Sequence, residues 1–210
     1  ELESAGALHL VCCTVNDLTP REPLLNYQRG GASAVLSRRG FSVTSDAQLF
    51  WTDWKGATPT LGAAITASGA AFNSMMGSFS KRFGPAATFV LAMLNLRLGL
   101  WLRHPATVQN QPPRGRVRAW LARQRDRFAP WSSKEWALPG VLFYKELFGL
   151  SRADAPDVHL SDGGHFENMA VYELIRRRCS YIIAADCGAD PDRAFDDVAN
   201  LIRRVRQDFD

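Results

Sequence analysis

Asp157-Val158-His159-Leu160-Ser161-Asp162-Gly163-Gly164, followed by Glu167 to Arg178 and by Tyr181-Ile182-Ile183-Ala184-Ala185, is the stretch that decides the fold class. Asp157 to Leu160 reads as a short strand that runs straight into a Ser-Asp-Gly-Gly turn. Glu167 to Arg178 predicts a helix, with an acid at its start and Arg176-Arg177-Arg178 at its end, the arrangement the helix dipole favours. Tyr181 to Ala185 has the uninterrupted apolar character of a buried strand. Asp190-Pro191 offers an N-cap and a first helical position. Beyond it, Phe195, Val198, Ile202, Val205 and Phe209 recur at three- and four-residue steps, one face of a helix. Strand, helix, strand, helix in this order predicts parallel strands joined by right-handed crossovers. The expected class is α/β, a mainly parallel sheet flanked by helices.

Upstream, Leu8 to Val15 is nearly continuous in apolar and β-branched residues and suits a central strand. Ser33 to Ser45 holds two strand-like runs around Arg38-Arg39-Gly40, a hairpin. Pro59 to Ala71 is Ala-rich and predicts a helix. Gly84 to Leu102 is the most apolar stretch, but Asn95 and Arg97 interrupt it, so it reads as a core or groove-lining helix rather than a membrane span. Gln109 to Gly115 is a polar loop and the best internal linker, and Val141 to Leu150 reads as a further apolar helix.

The chain has 210 residues with 46% hydrophobic and 22% charged side chains, which excludes a disordered protein and is long enough to bury a core without staples. No internal repeat divides it, and its length is a prior for one or perhaps two domains. Cys12, Cys13, Cys179 and Cys187 have no Cys-x-x-Cys spacing, which supports neither a disulfide framework nor a zinc knuckle. Nor do His9, His104 and His159 pair at metal-ligand spacing, so no metal or other cofactor is expected. The N-terminus carries no signal-peptide pattern, and a reduced, cytoplasmic setting is the expectation.

Asp162 is the leading candidate for chemistry. In an α/β sheet, ligands gather at the carboxyl ends of strands, and Gly163 and Gly164 let the backbone turn sharply and approach a ligand closely. The bland alternative is a turn Asp, since Asp-Gly is a common turn dipeptide. Asp186, with Cys187-Gly188 after the next expected strand, occupies a similar place but carries no further chemical hint and reads as structural.

Ser161-Asp162-Gly163-Gly164-His165-Phe166-Glu167-Asn168, with Val171-Tyr172-Glu173-Leu174-Ile175 after it, resembles the Asp-Gly-Gly region of the patatin and cytosolic phospholipase A2 superfamily, most closely its large bacterial patatin-like members. Ile65 to Ala71, Met76-Gly77 and the strand from Leu8 with Asn16 are similar to other segments of that group, so the likeness runs from Leu8 to Pro191. The resemblance implies a three-layer α/β sandwich, incomplete here, and a lipid acyl hydrolase working through a Ser–Asp dyad without histidine. Asp162 matches the dyad Asp. A lipid or acyl ester is then the substrate, and a directly bonded carboxylate can serve as base in a dry site.

The chain departs from that pattern at the nucleophile. Ser33, Ser42 and Ser151 have Gly two positions before them, but Val35, Thr44 and Ala153 two positions after, so none completes Gly-x-Ser-x-Gly. Ser68 has Thr66 and Ala70 where glycines belong. The expectation is a downstream portion that carries the Asp, lacks the serine elbow, is inactive alone and has the upstream part of the same protein as its partner. His165 with Ser68 makes a poor triad, because Asp162 and His165 are neighbours on one short loop.

From Arg97 to Arg127 there are eight arginines and one acid, Asp126. A solvated helix face is the plain reading. Contact with an anionic membrane surface is the functional one, and it supports an alternative to the hydrolase: a non-catalytic α/β domain that binds partners or sits peripherally on a membrane. No nucleic-acid-binding signature accompanies the arginines, so nucleic acid is not an expected partner. Trp51 and Trp54 read as residues of an irregular surface segment that could face lipid.

Overall fold

The computed structural model describes residues 7–18, 30–45, 48–54, 59–71, 73–76, 78–94, 99–109 and 139–209. In chain order its elements are β1 (Leu10–Asn16), β2 (Gly31–Ser37), β3 (Gly40–Ser45), β4 (Gln48–Asp53), α1 (Leu61–Ser68), α2 (Ser78–Met93), β5 (Leu100–Arg103), α3 (Pro105–Gln109), α4 (Pro139–Leu147), β6 (Asp157–Asp162), a 3-10 turn (Gly163–His165), α5 (Val171–Arg176) and α6 (Asp196–Phe209).

The six strands form one sheet in the order β4-β3-β2-β1-β6-β5, and every neighbouring pair is antiparallel. This overturns the expected mainly parallel sheet. Two physical reasons stand out. First, β6 already has β1 on one side and β5 on the other, so no open edge beside it can receive Tyr181 to Ala185. Second, α5 has only six residues, roughly 9 Å of helix, against roughly 20 Å for the six-residue β6. Such a helix cannot carry the chain back to restart a parallel strand. Residues 181–185 form no strand, and Tyr181 and Ile183 are 83% and 82% exposed.

The local reading of the strands fares better. β1 is central, with Val11, Cys13 and Val15 buried in the apolar core and Thr14 and Asn16 buried on the other face. β2 and β3 are a hairpin turned by Arg38-Arg39, and Gly40 closes it because a Cβ there would lie 2.2 Å from the Thr52 carbonyl oxygen. Trp51 lies in β4, half exposed, and not in an irregular segment, whereas Trp54, just past β4, stacks on Phe41 and donates to the Ser37 carbonyl at 2.7 Å. α1 starts where Thr60 caps Ala63 N–H, and it lays Ala64 and Ala67 on the sheet.

The apolar stretch Gly84 to Leu102 is not one helix. Gly84, at φ 79°, breaks α2 before Pro85, and the chain resumes as β5, paired with β6. Nor is α2 a core helix along its length, since Phe89, Val90, Met93 and Leu94 are exposed. At the C-terminal end, Phe166, Val171, Tyr172 and Leu201 form a second apolar cluster between α5 and α6. The inward face of α6 runs through Val198, Leu201, Arg204 and Val205, while Phe195, Ile202 and Phe209 of the expected stripe are exposed. Asp190 does not cap α6 directly: it accepts from Ala194 N and Phe195 N in the turn before it. Among the described residues no helix is long and apolar enough to cross a membrane. The linker residues 110–115, and Arg97 with the arginines from Arg114 to Arg127, lie outside the described residues. Arg103, on β5, sits 3.5 Å from Asp157.

Candidate functional site

Asp162 is the last residue of β6, opposite Cys13 of β1, so the strand end delivers it as the sequence implied. Its Oδ1 accepts from Gly164 N at 2.7 Å, which folds the chain at once into the 3-10 turn. Among the described residues that is its one hydrogen bond, and Oδ2 has none. Thr14 Oγ1 donates to the Asp162 carbonyl at 2.7 Å and fixes the backbone of the turn against β1. Neither Gly163 nor Gly164 has a positive φ. What they supply is space: a Cβ on Gly163 would lie 2.8 Å from the Cys12 carbonyl oxygen, and one on Gly164 2.8 Å from Asn168 Oδ1.

Behind the turn lies a buried polar cluster that sequence reasoning did not assemble. Residues two apart on a strand share a face, so β6 presents His159 and Ser161 together, beside Asn16 of β1. Asn16 Nδ2 lies 3.0 Å from His159 Nδ1 and donates to Ser161 Oγ at 2.9 Å. Ser161 Oγ is 3.0 Å from His165 Nδ1, and Asn73 Nδ2 is 3.4 Å from His159 Nε2. Ser151 Oγ donates to the Asn16 carbonyl, and Trp101 stacks edge-on against His159 at 5.1 Å. The signal was present as polar residues at alternate positions of an otherwise apolar strand. Burial lowers the pKa of His165, opposed in part by the nearby Asp162 charge and by a hydrogen bond to the Ala71 backbone. The imidazole is therefore neutral near pH 7.

On the same face, Glu173 of α5 is buried and fully engaged: Ser33 Oγ donates to it at 2.7 Å, and Arg176 at 2.8 and 2.9 Å. Glu167 accepts from Met169 N and Tyr172 N, so it caps α5. These two acids are structural. With burial, they push the Cys12 thiol up to about 12, and burial also raises Cys13. Neither cysteine is a nucleophile at neutral pH.

Ser42 is buried in β3, and the other candidate serines are engaged away from Asp162. Ser68 Oγ donates to the Cys12 carbonyl at 2.6 Å, Ser161 is fully buried within the polar cluster, and Ser33 and Ser151 are engaged as above. His165 bonds Ser161, not Ser68, so the Ser68 triad does not form. Asp186 accepts from Gly188 N in an exposed turn that follows no strand. Among the described residues no group of three or more His, Cys, Asp or Glu side chains is placed to hold a metal ion. Of the described candidate residues, Asp162 is the one left available, a half-buried carboxylate anchored through one oxygen.

Comparison with protein-family models, with curated proteins and with solved structures finds no match to this chain.

Proposed function

We propose that this chain supplies the base, Asp162, of a lipid acyl hydrolase of the patatin-like type, whose nucleophilic serine lies outside these 210 residues. The observation that carries this is the state of the Asp162 carboxylate: Oδ1 held by Gly164 N–H at the end of β6, Oδ2 without a hydrogen-bond partner among the described residues. A carboxylate so held accepts a proton from a hydroxyl brought within reach, which is the task of the base in a Ser–Asp dyad. The Ser161 to Asn168 block supports the same assignment from sequence. The all-antiparallel sheet is not the mainly parallel three-layer sandwich that the resemblance implies, so the reading rests on the Asp162 turn and the sequence block and not on the fold.

The test uses the longer protein encoded by the gene. A Gly-x-Ser-x-Gly elbow is expected upstream of Glu1, its serine should react with a fluorophosphonate probe, and Asp162→Asn there should abolish ester turnover. Stoichiometric labelling of a serine within these 210 residues, or undiminished turnover by Asp162→Asn, overturns the assignment.

A further inference from the structure

Helices α2 and α4 both carry apolar side chains out to the surface. α2 buries Thr88 and Ala92 and exposes Phe89, Val90, Met93 and Leu94, two pairs four residues apart on its outer side. α4 buries Glu146, which accepts from Trp101 Nε1 at 2.7 Å, and exposes Tyr144 and Phe148. The two outer sides are continuous: the Phe89 and Phe148 rings lie 6.4 Å apart, and Tyr144 stacks on Phe148 at 6.5 Å. Met93 and Phe148 are each 59% exposed. Scattered exposed apolar residues need no explanation, but an aromatic-rich patch spread over two adjacent helices marks an interaction surface.

Charge identifies the occupant. Between Ser78 and Leu150, the segment that contains both helices, there are twelve lysines and arginines and three acids, Asp126, Glu135 and Glu146. The rest of the chain carries thirteen against eighteen. The segment with the apolar face is thus strongly basic in an otherwise acidic chain. On the two helices themselves Lys81, Arg82 and Lys145 outnumber the one acid, Glu146, which is buried, so two copies meeting face to face would bring like charges together, whereas an anionic surface is complementary. Apolar and aromatic side chains on one face of a helix within a basic segment are what the interfacial zone of a bilayer accommodates.

We propose that the α2–α4 face docks on an anionic lipid bilayer, with Phe89, Val90, Met93, Leu94, Tyr144 and Phe148 seated at the headgroup–acyl boundary. The helices lie on the membrane and do not cross it. This stands independently of the role given to Asp162.

Flotation of the 210-residue chain with phosphatidylcholine vesicles, with and without phosphatidylglycerol, tests it. Binding to the anionic vesicles should exceed binding to neutral ones by on the order of tenfold or more at low salt, and fall at 1 M salt. The double variant Phe89→Asp/Phe148→Asp should lose binding. A second double variant, Phe195→Asp/Ile202→Asp, makes the same charge change at exposed positions just before and on α6 and should retain it. Circular dichroism and thermal melting establish that both are folded. Equal loss by the two variants shows that net charge alone governs binding and overturns the assignment of the face. Absence of vesicle binding by the wild type overturns it outright, and a wild-type dimer abolished by Phe89→Asp/Phe148→Asp would give the face to a second copy instead.

Discussion

Ser161 Oγ and His165 Nδ1 lie 3.0 Å apart, both buried, on either side of the Asp162-Gly163-Gly164 turn. The contact ties the strand to the residue that ends the 3-10 turn, with the direction of the hydrogen bond set by the tautomer of the ring. His104 is also buried, its Nδ1 accepting from Ala106 N at 3.2 Å, and burial lowers its pKa as well, against the opposing charge of Asp154. In both cases the folded pKa lies below the ordinary 6.5, so the unfolded chain takes up the proton first as the pH drops. Stability is therefore full above pH 6.5 and declines as pH falls from there through the folded values, by at most about 1.4 kcal/mol per pH unit for each histidine. Denaturant midpoints measured between pH 7.5 and 5.5 should show the decline, and His165→Gln should flatten part of it. An unchanged slope in that variant removes His165 from the account.

Glu173 joins sheet to helix, and its loss should be severe. Glu173→Ala strands Arg176 and leaves the Ser33 hydroxyl without its acceptor in a buried place, a cost of about 3 kcal/mol or more. Ser33→Ala removes one charge-assisted hydrogen bond and should cost about 1.5–3 kcal/mol. The double variant should be less destabilised than the sum, because both deletions act on one contact. Strict additivity in urea denaturation would show that the Ser33–Glu173 bond contributes nothing.

The two glycines should differ. Gly163→Ala drives a methyl into the Cys12 carbonyl, a backbone group of the central strand β1 that cannot swing aside. Gly164→Ala meets Asn168 Oδ1, the end of an exposed side chain, and Asp162 Oδ1 at 3.2 Å. The first should cost about 2–3 kcal/mol and the second about 1 kcal/mol or less, as overpacking costs depend on what can yield. Thermal melts of the two single variants decide it, and equal losses would contradict the packing described.

Four of the six strands were legible in the sequence because burial leaves a pattern in residue types: β1, the β2–β3 hairpin and β6 fall where apolar runs placed them, whereas β4 reads as an irregular surface segment and β5 as the end of an apolar helix. Their direction was not legible, since alternation and hydrophobicity are the same for a strand read parallel or antiparallel. The decisive misreading concerned helix length. Glu167 was read as the first residue of a helix, but its carboxylate caps Met169 N and Tyr172 N, so α5 begins only at Val171. Arg178, in the left-handed region at φ 54°, lies just beyond its other end. A twelve-residue crossover became a six-residue helix, and the parallel strand that depended on it does not form. Asp162 survived this because its place needs only a strand followed by Asp-Gly-Gly. The polar cluster escaped notice because Asn16 and Asn73 come from segments far apart in sequence.

Thiol reactivity separates the four cysteines. Cys179 and Cys187 are exposed, whereas Cys13 is buried and Cys12 is half-buried with a pKa of about 12. The native chain at pH 8 should therefore react quickly with a disulfide reagent at Cys179 and Cys187, and at Cys12 and Cys13 only after unfolding, because the thiolate is the reacting form. Peptide mapping after brief alkylation checks this. Early modification of Cys12 would mean that Glu173 and Glu167 do not enclose it as described.

Asp162→Asn distinguishes a structural Asp from a base. An Asn side chain retains an oxygen that can accept from Gly164 N, as Asx turns with either residue do, so the turn and the end of β6 should persist. Stability should change by less than about 1 kcal/mol in Asp162→Asn, whereas Asp162→Ala, which leaves Gly164 N without its acceptor, should lose about 1–2 kcal/mol. What Asn cannot do is take a proton. On the proposal that a longer protein carries the serine elbow, Asp162→Asn in it should melt like the parent and lose ester hydrolysis, and Asp162→Ala should lose both stability and hydrolysis. If Asp162→Asn keeps its turnover, Asp162 is only the residue that turns β6 into the Gly163–His165 helix. If it loses stability to the same extent as Asp162→Ala, the charge itself holds the turn, and loss of hydrolysis would no longer identify a base.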